Sequence, residues 1–302
     1  MVSAFKRSGM ARREAIEGYL FLLPWLLGFL FFSIGPIVAS FGISMTNWQV
    51  GLPIKYAGFD NYAEMFTKDR LFWQSLKVTA NYSLLALPAG IVVALSMALL
   101  LNQKAHGLGI YRTIYYLPSV CSGVAVSFLW LWILNNQYGL LNWFLSLLGI
   151  DGVGWLLEPR WALPALAVMS LWGSGGLMII YLSSLQAIPV EMYEAANLDG
   201  AGPIQRFVSI TLPMLSPTIM FNLVTGIIGV FQTFTAAWIM TNGGPSFATY
   251  FYVLHLYYSA FQYARMGYAC GMAWVLFVIV LVLTALVLRS SSYWVFYAGE
   301  AE

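Results

Sequence analysis

Residues 275–288 read VLFVIVLVLTALVL, with Thr284 the one polar side chain among them. A surface helix keeps a polar face, and a transmembrane strand alternates apolar and polar residues over about 10 positions. This stretch does neither. It is apolar on every side, and the charge-free run around it, residues 266–288, meets the roughly 20 residues a helix needs to cross a bilayer. The pattern is that of a membrane-spanning helix.

The same signature recurs along the chain. No charged residue occurs in residues 18–54, 78–103, 113–150, 161–190, 207–264 or 266–288. A charged side chain at the bilayer centre costs about 2.5 kcal/mol or more, so these gaps locate the membrane. They predict six helices, at residues 19–44, 79–101, 113–134, 162–185, 214–240 and 266–288. The composition agrees: 302 residues are 60% hydrophobic and 9% charged, against about 25% charged in a soluble domain. The fold class is an all-α integral membrane protein.

The first segment follows Lys6, Arg7, Arg12 and Arg13, as a secretion signal would. Its apolar run is too long for one, and no small-residue cleavage site follows. The same basic cluster favours a cytoplasmic N-terminus, and six crossings return the C-terminus to that side. Internal segments then hold Lys6, Arg7, Arg12, Arg13, Lys104, Arg112, Arg206 and Arg289. Outside lie Lys55, Lys68, Arg70, Lys77, Arg160 and Arg265.

Several functions are excluded early. A net charge of +2 is no electrostatic footprint for nucleic acid. Cys121 and Cys270 lie in apolar runs and read as small core residues, with neither a disulfide framework nor a thiolate metal site. His106 and His255 stand apart from carboxylates and cysteines in the sequence and read as surface or interface imidazoles, so no metal centre is expected.

Three longer outer segments are expected, at residues 45–78, 135–161 and 241–265. Residues 140–148, LLNWFLSLL, are too short to span and read as an interfacial helix. Residues 250–263 crowd Tyr250, Phe251, Tyr252, Tyr257, Tyr258, Phe261 and Tyr263 together, as an aromatic belt at the headgroups would.

One polar segment faces the cytoplasm, between the fourth and fifth helices. Pro189 suits a first helical turn, Glu191 and Glu194 complement the positive end of the dipole, and Gly200 can stop the helix in a left-handed conformation. Gly202-Pro203 then turns the chain into a second short helix. Ala195 and Ala196 are small enough for a second surface to approach closely. The plain alternative is a connector with ordinary caps.

Glu194-Ala195-Ala196, Asp199-Gly200-Ala201 and Ile210-Thr211-Leu212-Pro213 together resemble the EAA loop of permease subunits of bacterial ATP-binding-cassette importers. The likeness is strongest to the carbohydrate-uptake permeases of the maltose-transporter type. Gly58-Phe59-Asp60-Asn61-Tyr62, Tyr116-Leu117-Pro118, Gly139-Leu140-Leu141-Asn142, Thr241-Asn242-Gly243-Gly244-Pro245 and Met266-Gly267-Tyr268 look like that group's landmarks. Gly202-Pro203 departs from the polar pair of many relatives, and the maltose permease's large external insertion and extra N-terminal helices are absent.

The resemblance implies a single transmembrane domain over residues 1–302: a cytoplasmic segment 1–18, a coupling hairpin 186–213 and a cytoplasmic tail 290–302. It implies residence in the bacterial inner membrane, surrounded by lipid. Its partners would be a second permease subunit, expected as a heterodimer, a dimer of cytoplasmic ATPase subunits and an extracytoplasmic solute-binding protein. No Lys follows a glycine as a P-loop requires. The chain is therefore expected to bind no cofactor and to be no enzyme, with ATP and Mg on the ATPase subunit, whose cleft would receive Glu194 through Ala201.

The polar groups inside the spans are the substrate candidates: Trp172, Ser174, Asn222, Gln232, Thr233 and Thr235. Gln232 and Thr233 fall where maltose-type permeases place sugar-contacting amides. Each has a plain alternative, because Ser and Thr bond to their own helix and Trp anchors at interfaces. A sugar or oligosaccharide is the expected solute, with glycerol 3-phosphate the alternative that would call for an Arg or Lys in the path. An ion-coupled secondary transporter would need an intramembrane Asp, Glu, His or Arg, and the six spans contain none.

Overall fold

The computed structural model describes residues 9–103 and 106–296, with side chains from residue 12 onward. Lys6, Arg7 and Lys104, the first part of the segment 1–18 and the end of the tail 290–302 lie outside the described residues.

Among the described residues the chain is helical, with one isolated bridge between Thr46 and Tyr56. Its α-helices run α1 (Gly9–Phe29), α2 (Gly35–Ser44), α3 (Asp60–Thr67), α4 (Arg70–Leu101), α5 (Leu108–Val120), α6 (Gly123–Ile133) and α7 (Leu140–Leu147). They continue as α8 (Pro159–Trp172), α9 (Gly175–Gln186), α10 (Val190–Leu198), α11 (Pro203–Arg206), α12 (Leu212–Phe231), α13 (Tyr252–Tyr257) and α14 (Met266–Ser291). Wider π-turns at Leu30–Ile34 and Phe207–Thr211 join α1 to α2 and α11 to α12 into longer rods.

Four rods are long and apolar enough to cross a bilayer: Arg12–Ser44, Arg70–Leu101, Pro203–Phe231 and Met266–Ser291. Two bent pairs reach the same length together, α5 with α6 at 100° and α8 with α9 at 49°. The third and fourth expected helices are thus each broken. Pro118 cannot donate to the preceding turn, and Cys121 and Ser122 then adopt extended backbone. The other bend falls at Gly173 and Ser174.

Other expectations need correction. The second helix starts at Arg70 because the Asp69 carboxylate caps it, accepting from Leu71 N–H at 2.8 Å and Phe72 N–H at 3.1 Å. At 1.5 Å per residue α4 is about 48 Å long, more than a hydrocarbon core of about 30 Å, so its charged first turns project beyond the apolar layer. The fifth helix begins at Pro203 and stops at Phe231, so residues 210–213 belong to a continuous rod. The aromatic segment 250–263 is divided: Tyr250, Phe251, Tyr252 and Tyr258 are buried, whereas Phe261 and Tyr263 are exposed.

The chain forms two compact units. The smaller holds residues up to Glu64 with Ser259–Trp274. There Asn61 donates to Ser44 O and Thr46 O, both at 2.8 Å. Arg265 pairs with Glu64 at 2.6 Å and lies over the Tyr268 ring. Gly267 sits so close that a Cβ would meet Thr46 O at 2.0 Å.

The larger unit, Met65–Tyr258 with residues from Val275, is organised around α4. The first half of α4 supplies Val78, Tyr82 and Ala86 to a core with Leu166, Met169, Ala237, Met240 and Phe251. Its second half supplies Ala94, Ala98 and Leu101 to another, with Tyr181, Leu185, Ile188 and Leu215. Small side chains let α9 lie close along α4, as packing in lipid requires. The two cores mark two ends of this unit, a rim end and a hairpin end.

Candidate functional site

At the hairpin end, α10 closes on a two-bond C-terminal cap. Gly200 N–H donates to Asn197 O at 3.1 Å and Ala201 N–H to Ala196 O at 2.9 Å, with Gly200 at φ +78°. This is the Schellman arrangement, in which a residue without Cβ takes the left-handed position. Pro189 stands at the N-cap, one residue before the helix. Tyr193 OH meets Thr211 Oγ1 at 2.9 Å, and Arg206 donates to Asn197 Oδ1, tying α10 to the start of the next rod. Ile210 packs against the core and Pro213 O accepts from Ser216 Oγ at 2.6 Å, while Leu212 is more exposed.

Glu194, Ala195, Asp199 and Gly200 are exposed, Ala196 and Ala201 half-buried. α10 buries no residue at all. Two apolar side chains beside this set, Leu198 at 90% exposure and Ile204 at 80%, were not picked out by the sequence reading. An apolar side chain flanked by polar neighbours looks like ordinary helix filling until its exposure is seen.

Between the two ends, the interruptions in the helices meet. The α5–α6 bend, the α8–α9 bend and the end of α12 line one cavity of about 390 Å³. Trp172, Gln232, Thr233 and Thr235 lie on its wall together with Ser119, Ser127 and Ser170, and no charged residue does. Trp172 meets Trp130 edge to face at 6.3 Å. The bends are held by Gly175, where a Cβ would come within 2.1 Å of Tyr115 O and 2.8 Å of Tyr116 Cα. Gly175 escaped the sequence reading because one glycine inside an apolar run has several possible reasons.

Two expected pathway residues are elsewhere. Ser174 is buried at the N-cap of α9. Asn222 is wholly enclosed beside the Tyr181 hydroxyl, with no well-formed hydrogen bond to its amide among the described residues. α9 and α12 turn polar groups toward each other elsewhere too, with Ser184 Oγ 2.8 Å from Thr218 Oγ1.

The rim end is held by polar groups that the sequence reading missed. His255 is buried, not a surface imidazole: its Nε2 lies 2.8 Å from Asp69 Oδ2 and its Nδ1 3.1 Å from Tyr250 OH. Tyr252 N–H donates to Thr79 Oγ1 at 2.9 Å, and burial pushes the Tyr252 phenol up, keeping it neutral. Asn142 donates to Asn136 O and Val153 O, both at 3.0 Å. Its Oδ1 accepts from Val153 N–H at 3.1 Å and Trp155 Nε1–H at 2.8 Å. Among the described residues no cluster of His, Cys, Asp and Glu could hold a metal ion.

The described residues thus form a helical bundle with four helices and two bent pairs long and apolar enough to cross a membrane, and its interrupted helices meet at an uncharged cavity. Residues 86–294 match the binding-protein-dependent transport system inner membrane component family, and the chain belongs to that family. It is 44% identical to the probable ABC transporter permease protein YesP of Bacillus subtilis (strain 168), over 99% of this chain and 98% of that one. It is 36% identical to the trehalose/maltose transport system permease protein MalF of Thermococcus litoralis, over 92% and 93%. Among solved structures it is similar to the bacterial alginate ABC transporter in complex with alginate pentasaccharide-bound periplasmic protein. That match has a TM-score of 0.84 and 27% identity, covering 95% of this chain and 97% of the other. The chain is therefore a multi-pass membrane component of a binding-protein-dependent ABC importer.

Proposed function

We propose that this chain is one of two permease subunits that together line the path of a saccharide, delivered by an extracytoplasmic binding protein and driven by a separate ATPase dimer. Each bent pair counts as one crossing, giving six, with the hairpin end and both termini in the cytoplasm. The observation that carries the substrate class is the cavity at the helix breaks, where aromatic and uncharged polar side chains line a space within the 300–1,000 Å³ usual for small-molecule sites. Hydroxyls and amides that donate and accept suit a polyhydroxylated solute. With no Arg or Lys on the wall, a phosphorylated or acidic solute has no counter-charge.

The hairpin explains how work reaches that cavity. α10 lies between the end of α9 and the rod containing α12. α9 is about 18 Å long and α12 about 30 Å; the far end of α12 meets the cavity at Gln232, and α9 starts two residues after Gly173 on the cavity wall. A push on α10 from the ATPase is carried along both rods to the cavity wall. Glu194 and Asp199 offer charge-assisted hydrogen bonds to the ATPase, Ala195 and Ala196 allow close approach, and Leu198 supplies an apolar anchor.

The test is uptake by proteoliposomes holding the complete complex. Trehalose, maltose and alginate pentasaccharide are offered with the loaded binding protein. Uptake of a neutral saccharide that requires ATP and the ATPase subunit supports the proposal; uptake confined to the acidic saccharide, or independent of ATP, rejects it.

A further inference from the structure

A second cavity lies at the rim end of the larger unit, and its chemistry repeats that of the cavity at the helix breaks. It has a volume of about 520 Å³. Asn135, Asn136, Gln137 and Tyr138 form one wall, Met240, Thr241, Gly244 and Pro245 contribute another, and Leu131, Leu134, Leu156 and Leu157 close the remainder. No charged residue lines it. On the other side of Asn136, Gln137 and Tyr138 lies a further hollow of about 490 Å³ that presents Trp132 and Trp143.

Both polar walls are held in place from within. Asn135 Oδ1 accepts from Gln137 N–H at 2.9 Å and Tyr138 N–H at 3.2 Å. Gly139 packs so tightly beneath them that a Cβ would meet Asn135 O at 2.2 Å. Thr241 Oγ1 lies 2.6 Å from Thr249 Oγ1, which in turn reaches Gly244 O at 2.6 Å, and Tyr258 OH donates to Asn242 Oδ1. Walls fixed by their own hydrogen bonds spend little ordering free energy when a ligand arrives. Gln137 and Tyr138, by contrast, are exposed.

The two cavities are placed in series. α6 lines the deeper one through Val126 and Ser127 and the rim one through Leu131 and its C-cap Leu134, while the segment after α12 lines the deeper one up to Ala236 and the rim one from Met240. Ser127 and Leu134 are about 10 Å apart along the helix, so one helix face leads from the first space to the second.

We propose that the rim cavity is a separate saccharide subsite, the first that a neutral sugar meets on this chain, with Gln137, Tyr138 and Asn135 making its hydrogen bonds. Rim and break cavities would then hold successive positions of one neutral solute. This rests on the saccharide reading given above and extends it to a place that the EAA likeness and the helix breaks do not touch. The uncharged lining selects against acidic saccharides at the point of admission.

The test uses the complete complex in proteoliposomes, with Leu157→Cys as a reporter on the cavity wall, where Leu157 is 66% exposed. The rate at which a small thiol reagent modifies residue 157 is read by mass spectrometry of its peptide. Trehalose and maltose are added on the binding protein, with unloaded binding protein as a parallel arm. For whichever neutral sugar the complex imports, modification should slow by about tenfold at a concentration about ten times its dissociation constant, and unloaded binding protein should leave the rate unchanged. Adding Gln137→Leu to the reporter should remove most of that protection, and Tyr138→Phe should weaken it if the first variant fails to assemble. Equal protection by unloaded binding protein would make this face a protein contact and overturn the proposal. Unhindered modification during active neutral-sugar uptake would overturn it while leaving the saccharide reading intact. Import of alginate pentasaccharide alone would remove the saccharide reading of both cavities.

Discussion

The rim end and the hairpin end of the larger unit handle polar groups in opposite ways. At the rim, buried His255 and Tyr250 are hydrogen-bonded in a chain to half-buried Asp69, and Asn142 makes four hydrogen bonds to three residues. At the hairpin, no residue of α10 is fully buried, with only Tyr193 and Ala196 half-buried, and Leu198 and Ile204 stand almost fully exposed. Burying polar groups is stabilising only when each is matched. The rim is thus built to keep one shape. An exposed apolar residue next to exposed charges gains nothing for the isolated chain, which is what the proposed docking of the hairpin on a second surface requires.

This contrast predicts a graded set of outcomes. The largest loss of stability is expected for Asp69→Ala, which removes the α4 cap and strands the buried imidazole of His255. We expect a cost of about 3 kcal/mol, read as a lower thermal midpoint of the purified complex; an unchanged midpoint would mean that these hydrogen bonds do not hold the rim. Asn142→Leu should follow at about 2 kcal/mol, because Trp155 Nε1–H and Val153 N–H are left without their acceptor. Proteolysis of the rim segment after α7 should quicken in that variant and not in Asn142→Gln if the longer amide reaches the same partners.

Moving to the hairpin, Gly200→Val places a β-branched residue at φ +78° and should cost about 1–2 kcal/mol. ATP-driven uptake should nevertheless fall by far more than that modest loss implies. Leu198→Ser should be the mildest for the isolated chain, within about 0.5 kcal/mol, yet it should weaken retention of the ATPase subunit during purification. A hairpin variant that destabilised the chain as much as Asp69→Ala would erase the distinction between the two ends.

Much of the fold was legible because the charges are so sparse. The gaps between charged residues located every apolar rod, and Gly200 with its neighbours announced a helix stop that took the expected left-handed form. The bends carry local markers, Pro118 in one and Gly173 in the other, but a proline or glycine inside an apolar run does not say whether the helix bends or continues. The end of α12 has no such marker, since residues 232–234 contain neither glycine nor proline. Aromatic density at residues 250–263 could not say which rings pack on one another; Phe251 against Tyr82 and Tyr252 against Phe72 pack inward, while Phe261 and Tyr263 stay exposed. His255 looked solitary because its carboxylate partner is 186 residues away. Of the candidate pathway residues, Trp172, Gln232, Thr233 and Thr235 share one cavity. Ser174 and Asn222 face the interior, a distinction that residue type alone does not carry.

The central claim is that α10 transmits work from an ATPase partner to the cavity at the helix breaks. The most direct measurement compares ATP hydrolysis and saccharide uptake in proteoliposomes of the wild-type and Gly200→Val complexes at equal permease content, each with loaded binding protein. The account predicts that the variant complex still assembles and hydrolyses ATP but no longer accumulates saccharide. Accumulation at the wild-type rate would contradict it.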